Sequence, residues 1–256
     1  MKYISVAALA TLMACCTPAL AQSGNTYMPE GSKEIKVALA AGNGPRSPGS
    51  AQRATFIAPL FSVQWSNGLF VEMNEFGMRL SEHPSLDYGV VATPSFSRAS
   101  TLPGDGTRGG RRFTPQVGGY LNYQLAHGIN FSSGLMYGGS FDRRGLRLRF
   151  GAQFWMPVAE HHSLGVHGSL MLANRSALQA NFAVAPEQVG PMLPAHDVGS
   201  GLHSTAIAAH WRWDLSHKYT LASALDWRRL HGSAADSARV QQAGAVTMST
   251  MVIYGF

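Results

Sequence analysis

Two short segments hold the residue types that hydrolytic or metal chemistry requires. Glu160-His161-His162-Ser163 places a carboxylate, two imidazoles and a hydroxyl side by side, and His196-Asp197 joins an imidazole to a carboxylate. Histidine can activate a serine nucleophile, and histidines are common zinc ligands. Neighbouring residues on a strand point to opposite faces, so neither segment alone aims two groups at one ion. The sequence therefore favours solvated loop histidines over a metal site or a catalytic pair.

Other catalytic signatures are missing from the sequence. There is no Gly-x-Ser-x-Gly segment, no triad spacing and no nucleic-acid motif. No glycine-rich loop leads from a predicted strand into a predicted helix, which phosphate and dinucleotide binding require. The two cysteines, Cys15 and Cys16, lie within residues 1–21, which are predicted to be a cleaved signal peptide. Thiol chemistry is therefore not expected in the mature chain. We expect no enzyme, no cofactor and no nucleic-acid partner. A hydrolase that uses Ser163 with His161, or Asp197 with His196, is the least favoured alternative.

A second group of chemistry-bearing residues is charged and alternates with apolar residues. Charges in a low-dielectric wall need partners, and two of the arginine–aspartate pairs fall on adjacent predicted strands. If these strands close into a barrel, the sequence predicts a ladder of ion pairs between adjacent strands that fills the lumen. The alternative is a narrow pore that prefers anions. The residues of this predicted network are Arg147, Arg149, Arg212, Asp214, Asp226 and Arg228, with Asp142 as a further inward acid.

The elements that carry these charges have the period of β-strands. In 207–215 the residues Ile207, Ala209, Trp211, Trp213 and Leu215 share one face, opposite His210, Arg212 and Asp214. One such strand fits a soluble sandwich equally well. The pattern recurs in 116–125, 146–156, 164–172 and 219–228, where the polar faces are rich in Gly, Ser, Asn and Gln. That composition indicates a confined lumen rather than a solvated surface.

This repetition predicts an all-β, transmembrane, antiparallel up-and-down β-barrel over residues 33–256. About twelve strands are expected, and a ten-strand barrel in which 33–43 or 177–186 does not span is the alternative. The predicted strands are 33–43, 54–65, 68–80, 87–98, 111–126, 129–142, 145–158, 163–173, 177–186, 202–215, 218–230 and 243–256. A slip of phase between Met73 and Phe76 indicates a bulge in the third strand.

An even strand count places both termini in the periplasm. Tight periplasmic links are then expected at Ser66-Asn67-Gly68, Arg143-Arg144-Gly145, Asn174-Arg175-Ser176 and Ser216-His217-Lys218. Long outer links are expected at 44–53, 187–201 and 231–242, and the link Glu160 to Ser163 would also be outside. The Gly/Arg-rich link from Ala99 to Gly110 falls on the periplasmic side, where it is unusually long.

The two ends of the chain support an outer-membrane location. Residues 1–21 have a basic start, a short apolar run and Ala19-Leu20-Ala21, which predicts a signal peptide cleaved between Ala21 and Gln22. A membrane anchor, or lipoprotein processing at Cys15, fits less well. Residues 22–32 form a short periplasmic lead. The closing strand 246–256 alternates to an apolar face, and Tyr254 with Phe256 is expected to serve as the signal read by the barrel-assembly machinery.

Composition agrees with a barrel in a lipid environment. Only 13% of residues are charged and 28 are glycine, while no mature segment offers the ~18 unbroken apolar residues of a membrane helix. The positive net charge of +6 indicates a basic lumen or rim next to anionic lipopolysaccharide rather than nucleic acid. An aromatic girdle at the membrane interface is predicted from Trp65, Trp211, Trp213, Tyr219, Trp227 and Tyr254.

Several segments together have the pattern of a known family. They are Trp227-Arg228-Arg229-Leu230 with the Ala235-Asp236-Ser237 loop, the final aromatic strand, and Ala58-Pro59-Leu60 and 65–70 near the front. In these segments the chain resembles the MltA-interacting protein family, MipA/OmpV, of Gram-negative outer membranes. Ala238 stands where the family commonly has proline. The resemblance implies a non-enzymatic outer-membrane protein that brings a lytic transglycosylase together with a murein synthase. A small pore for solutes or antibiotics is the alternative that it leaves open.

Overall fold

The computed structural model describes residues 28–94, 96–98, 111–113, 115–138, 145–184 and 194–256. The predicted signal peptide and its cleavage site at Ala21 and Gln22 lie outside the described residues, as does Asp142. Fourteen strands and two helices are present in the described part of the chain. The strands are β1 (Lys33–Pro45), β2 (Arg53–Trp65), β3 (Leu69–Glu72), β4 (Glu75–Arg79), β5 (Leu86–Thr93), β6 (Phe96–Arg98), β7 (Arg111–Phe113), β8 (Gln116–Ala126), β9 (Ile129–Gly138), β10 (Gly145–Ala159), β11 (His162–Ala173), β12 (Gly201–Asp214), β13 (Tyr219–Leu230) and β14 (Gly244–Gly255). The helices are α1 (Arg175–Phe182) and α2 (Gly232–Ala235).

Twelve of the strands form one closed antiparallel barrel, which confirms the predicted fold class. Each strand pairs with its neighbours in sequence, and β14 closes the barrel against β1 from Lys36↔Gly255 to Asn43↔Met248. The two remaining strands, β6 and β7, pair separately with each other. Closure leaves the barrel without a free first or last strand, because the edges of β1 and β14 are joined to each other.

Alternation along the strands separates an apolar outer face from the interior. In β14, Met248 and Val252 are 59% and 45% exposed on the outside, whereas Thr247, Ser249 and Met251 are buried inside. The same alternation exposes Val166 on β11 and Ile207 on β12. A continuous apolar exterior of this kind suits a lipid environment, since a closed barrel satisfies all of its own backbone hydrogen bonds. None of the helices in the described residues is long and apolar enough to cross a membrane.

The predicted third strand, 68–80, is wrong in one respect: it is a hairpin and not a single bulged strand. β3 and β4 pair with each other from Leu69↔Met78 to Glu72↔Glu75, around a turn at Met73 and Asn74. Met73 adopts φ 51°, a left-handed conformation that methionine rarely takes. The phase slip noticed in the sequence is therefore the reversal of the chain.

The predicted strand 177–186 is also wrong, because its first part is the helix α1. The Asn174 side chain caps this helix by accepting a hydrogen bond from the Ala177 N–H at 2.9 Å. One strand was thus missed and one was assigned in error. The predicted count of twelve is confirmed only because the two errors cancel.

Because of these two errors, every predicted link between the β3–β4 hairpin and α1 begins and ends at the end of the barrel opposite to the one predicted. We call the end with Lys33 and Gly255 the terminal end. Ser66–Gly68 and 215–218 lie there as predicted, together with 80–85 and 127–128. The turn at 160–161 also lies there, although the sequence predicted it on the outer side. The connections from β9 to β10 and from β11 to α1 leave from the opposite end, contrary to prediction. The chain also leaves β5 and enters β8 at the opposite end, so a long link there is no longer anomalous.

A small hydrophobic core covers part of the barrel end that lies opposite to the terminal end. It joins α1, the segment 194–200 and α2, and we call it the cap. Ser237 Oγ donates to the Phe182 carbonyl at 2.6 Å, and His196 Nε2 lies 2.7 Å from the Ser233 carbonyl. The buried residues of the cap are Ala173, Ala177, Leu178, Phe182, Val198, Leu230 and Ala234.

One side of the lumen is filled by apolar side chains. This apolar wall consists of Ala38, Ala40, Phe56, Ala58, Leu60, Ala222, Met251 and Ile253, all buried, with Met73 packed against it. Phe56 lies directly over Gly42, where any Cβ would overlap its ring. Small residues on one strand therefore make room for a large residue on the next.

Candidate functional site

The other side of the lumen is an open chamber of about 920 Å³. We call it the polar chamber; it is lined mainly by inward residues of β3, β4, β5 and β8 to β12. Period-two alternation on these strands delivers Gln, Ser, Asn, Glu and Arg side chains to the same space. A second cavity, beside Asp226 and Arg228, measures only about 30 Å³.

Strand β10 supplies a row of hydrogen-bond donors to the chamber. Arg147, Arg149, Gln153 and Trp155 line it from alternate positions, with Gly151 between them. Arg147 Nη1 donates to Gln116 Oε1 at 3.4 Å. Because one face of one strand carries all four, the donors run along the height of the chamber.

Two of these donors are buried without an acceptor among the described residues. Gln153 Nε2 and Trp155 Nε1 have no hydrogen-bond partner. Trp155 is only 8% exposed, and its ring stacks on His210 at 5.8 Å across the strand β11. An unsatisfied buried donor costs about 1–3 kcal/mol, so these groups are poised to meet a ligand or water.

The facing wall of the chamber is acidic, which the sequence did not reveal. Glu72 and Glu75 are direct register partners at the end of the β3–β4 hairpin. Gln64 Nε2 donates to Glu72 Oε1 at 3.1 Å. Glu75 is within electrostatic reach of Arg149 from the opposite wall. The sequence did not predict this acidic pair because 68–80 was interpreted as one strand. On a single strand, residues three positions apart point to different faces.

Charged residues next to this acidic pair neutralise each other. Arg79 Nε donates to Asp87 Oδ1 at 3.0 Å, and Tyr120 donates its hydroxyl to the same oxygen at 3.2 Å. Asp87 therefore contributes little net charge to the chamber. Glu72 and Glu75 are left as the acidic feature of this wall.

The predicted ladder between Arg212-Asp214 and Asp226-Arg228 does not form. Arg212 Nε binds Asp214 Oδ1 on its own strand at 2.9 Å, and Asp214 accepts from Thr220 Oγ1 at 2.7 Å. The register places Arg212 opposite Ala222, and Asp226 opposite Ala208. Four residues separate the two rungs, roughly 13 Å along the strand, too far for an ion pair.

Asp226 and Arg228 lie nearer the opposite end of the barrel. Asp226 is 5% exposed and lies near His167 and His210. Arg228 lines the chamber together with Arg147 and Arg149. Five of the six predicted charges therefore line one cavity, while Asp226 is buried beside it.

The aromatic residues predicted as a girdle collect mostly at the terminal end. Trp65, Trp211, Trp213, Tyr219 and Tyr254 lie near that end of their strands, and Trp227 lies toward the other end. Tyr254 packs on Tyr219 at 4.9 Å and on Phe256 at 4.8 Å. The Phe256 N–H donates to the Ile35 carbonyl at 3.1 Å, which fixes the last residue to the first strand.

His162 belongs to this aromatic group and not to a loop. Its ring stacks on Trp211 at 5.8 Å and on Trp213 at 5.2 Å. His161, in the adjoining turn, is exposed and lies 3.6 Å from Glu160. The two histidines contact different groups, and no metal-binding group of three or more side chains occurs among the described residues.

His196 and Asp197 are structural residues of the cap. His196 contacts the Ser233 carbonyl, whereas Asp197 accepts from Gln179 and pairs with Arg175. The hydrogen bond from Gln179, with help from Arg175 and the Val198 N–H, holds the pKa of Asp197 below its usual range. Neither His196 with Asp197 nor His161 with Ser163 makes a hydrogen-bonded pair in the described structure.

A closed antiparallel barrel with an apolar exterior and a polar interior defines an integral outer-membrane β-barrel protein. Its short turns and both ends of the barrel domain share the terminal end, which is the periplasmic end of such barrels. The chain belongs to the MltA-interacting protein (MipA) family, whose family model matches residues 37–256.

Several solved barrels are similar in architecture at low identity. The translocator domain of the autotransporter NalP from Neisseria meningitidis is 12% identical, with a TM-score of 0.48 and coverage of 98% of either chain. The OmpT protein of Vibrio cholerae is 6% identical, with a TM-score of 0.46, covering 88% of this chain and 97% of that one. The COG4313 channel from Pseudomonas putida F1 is 9% identical, with a TM-score of 0.46, covering 90% and 98%. No match was found among the curated proteins.

Proposed function

We propose that this protein is a non-enzymatic scaffold that holds a lytic transglycosylase at the periplasmic face of the outer membrane. The observation that carries the proposal is the family match over 37–256, because the family is described by its interaction with MltA. A murein synthase is proposed as a second partner on the same surface. The scaffold role needs a stable docking surface and no catalytic group.

The terminal end offers a suitable surface. Its turns are short and fixed by the barrel, so a partner meets little conformational entropy cost on binding. Glu160 and His161 are 92% and 65% exposed there, and Lys218 lies in the neighbouring 215–218 turn. Charged turns of this kind would give orientation and specificity rather than large buried area.

A co-purification assay tests the scaffold directly. Detergent-extracted barrel should retain a lytic transglycosylase of the MltA type, and the double variant Glu160→Ala with Lys218→Ala should retain severalfold less. The control is Arg175→Ala in the cap, at the opposite end, which should retain as much as the wild type. A wild-type barrel that retains no transglycosylase, or turn and cap variants that behave alike, would contradict the proposal.

The polar chamber favours a second candidate function, the passage of small solutes. A cavity of about 920 Å³ lined by charged groups is larger than a packed lumen needs. Planar-bilayer recording tests this candidate. A channel predicts discrete conductance whose ion preference changes when Arg212 and Arg228 are both replaced by Gln, whereas a closed chamber predicts no conductance in either protein.

A further inference from the structure

We propose that the polar chamber binds small zwitterionic solutes, with their carboxylate on the donor row of β10 and their ammonium at Glu72 and Glu75. The proposal requires neither conduction nor a protein partner, so it goes beyond the scaffold role. It rests on the arrangement of charge and of unsatisfied polar groups within one cavity.

The donor row fits a carboxylate. Arg147, Arg149, Gln153 and Trp155 present only N–H donors from the chamber face of one strand, apart from the Gln153 carbonyl. Gln153 Nε2 and Trp155 Nε1 lack any acceptor among the described residues, and Trp155 is more than nine-tenths buried. A carboxylate supplies two oxygens with several lone pairs, which guanidinium groups bind with strong, charge-assisted hydrogen bonds.

The acidic pair fits an ammonium group. Glu72 and Glu75 face each other directly in the register, and like charges placed opposite one another destabilise a sheet. A cation between them removes that repulsion. Gln64 holds Glu72 in place, while Met73 of the same turn packs on the apolar wall, so the pair stands on a fixed hairpin end.

The distribution of charge selects dipolar solutes over simple anions. The chamber is lined by five arginines and four carboxylates, which nearly balance: Arg79, Arg147, Arg149, Arg212 and Arg228 against Glu72, Glu75, Asp87 and Asp214. Arg79 with Asp87, and Arg212 with Asp214, form ion pairs. Arg147, Arg149 and Arg228 lie on β10 and β13, whereas Glu72 and Glu75 lie on β3 and β4. Fixed charges of opposite sign on facing walls produce a field across the lumen that orients a zwitterion.

The cavity size is compatible with such a ligand. Small-molecule pockets usually occupy about 300–1,000 Å³, and this chamber lies within that range. Arg149 and Glu75 line this same cavity, so one molecule that fits within it can contact both walls.

The test is calorimetric titration of the purified barrel in detergent with glycine, γ-aminobutyrate and ε-aminocaproate, against caproate and hexylamine, which carry one charge each. At least one zwitterion should bind about tenfold more tightly than caproate or hexylamine, the gain expected from one added charged hydrogen bond. If none of the three zwitterions binds more tightly than caproate and hexylamine, or none binds at millimolar concentration, the proposal is overturned.

Variants that remove one charge assign the two ends of the ligand. Glu75→Gln should weaken the zwitterion about tenfold and leave caproate unchanged, whereas Arg149→Gln should weaken both and leave hexylamine unchanged. Glu30→Gln before β1 and Arg175→Gln in the cap make the same changes outside the chamber and should alter nothing. If all four variants bind the zwitterion equally, the assigned site is wrong.

A third variant separates ligand contact from folding. Trp155→Phe keeps one six-membered aromatic ring on this face of β10 and removes the five-membered ring with its N–H, and a retained heat-modifiable gel shift shows that the variant barrel is folded. We expect severalfold weaker binding of the zwitterion and of caproate. Unchanged affinity for both in a folded variant would remove Trp155 from the site.

Discussion

The apolar wall and the polar chamber lie in the same lumen and are built by the same strand alternation, but one is packed and the other is open. At 38–44 of β1, 54–62 of β2 and 247–253 of β14 the inward positions are Ala, Gly, Ser, Thr and a few large apolar residues, which pack against each other. On β10 the inward positions are arginine, glutamine and tryptophan, and about 920 Å³ stays open in front of them. A barrel of this size can therefore be stabilised by filling part of its lumen while the rest is kept for binding.

The difference also separates stability from function. Close packing in the apolar wall supplies dispersion and burial, whereas the open chamber leaves donors unsatisfied at a free-energy cost. Substitutions in the wall should consequently change the free energy of unfolding, and conservative substitutions in the chamber should change ligand binding.

The largest effect is expected from Phe56→Ala in the apolar wall. Phe56 is 3% exposed, and its removal leaves a cavity over Gly42 that the rigid strands cannot close. We expect a loss of about 3–5 kcal/mol in the free energy of unfolding, measured by urea titration in lipid vesicles. The control Phe131→Ala, on the outward face of β9, should cost less, because lipid can fill the space that the ring leaves and no cavity remains. Equal losses would show that the wall is not a packed core.

Gly42→Ala probes the same contact from the other side. The added methyl overlaps the Phe56 ring, so the ring or the strand must shift, at a cost of about 1–3 kcal/mol. Gly168→Ala on β11 is the matched control, since nothing lies within 4 Å of a Cβ there. The same urea titrations compare the two variants. A neutral Gly42→Ala would mean that the wall is loosely packed.

Tyr120→Phe tests how little the chamber contributes to stability. It removes the hydroxyl that donates to Asp87 at 3.2 Å, and Arg79 still satisfies that carboxylate. We expect a loss of about 0.5–1.5 kcal/mol in the free energy of unfolding. A loss as large as that of Phe56→Ala would break the distinction between the two regions.

The smallest effect is expected at an exposed ion pair outside both regions. Because the pKa of Asp197 is held below its usual range, its contacts stabilise the cap above the unfolded-state pKa and are lost as pH falls through the lower, folded value. The Val198 N–H donates to Asp197 at 3.0 Å, so its amide proton shift should titrate in that acidic window. The titration should vanish in Asp197→Asn, while the free energy of unfolding at neutral pH changes little.

Periodicity was sufficient to predict the barrel, the closing strand and most inward arginines. It could not predict the β3–β4 hairpin, because the turn is made by Met73 in a left-handed conformation and not by glycine. It also read 177–186 as a strand, although Asn174 before Ala177, Leu178 and Gln179 is a capping signal followed by helix-forming residues.

The residues that meet in the chamber are determined by the register between strands, which a short segment of sequence does not reveal. The acidic pair Glu72 and Glu75 meets only because the chain reverses between them. Arg212 and Asp226 share a face but lie four rungs apart, so spacing in sequence suggested a ladder that the register excludes. Local alternation thus predicts which face a residue occupies, and not its partner.

The central claim is that one face of each strand borders a water-accessible chamber and the other borders lipid. Ser169 and Leu170 on β11 are adjacent residues on opposite faces, and Cys15 and Cys16 are the only cysteines in the sequence. With both cysteines absent, Ser169→Cys and Leu170→Cys in lipid vesicles can be compared for reaction with a small, charged thiol reagent. We predict rapid modification of Ser169→Cys and protection of Leu170→Cys. Protection of Ser169→Cys with modification of Leu170→Cys, or equal rates for the two, would contradict the account.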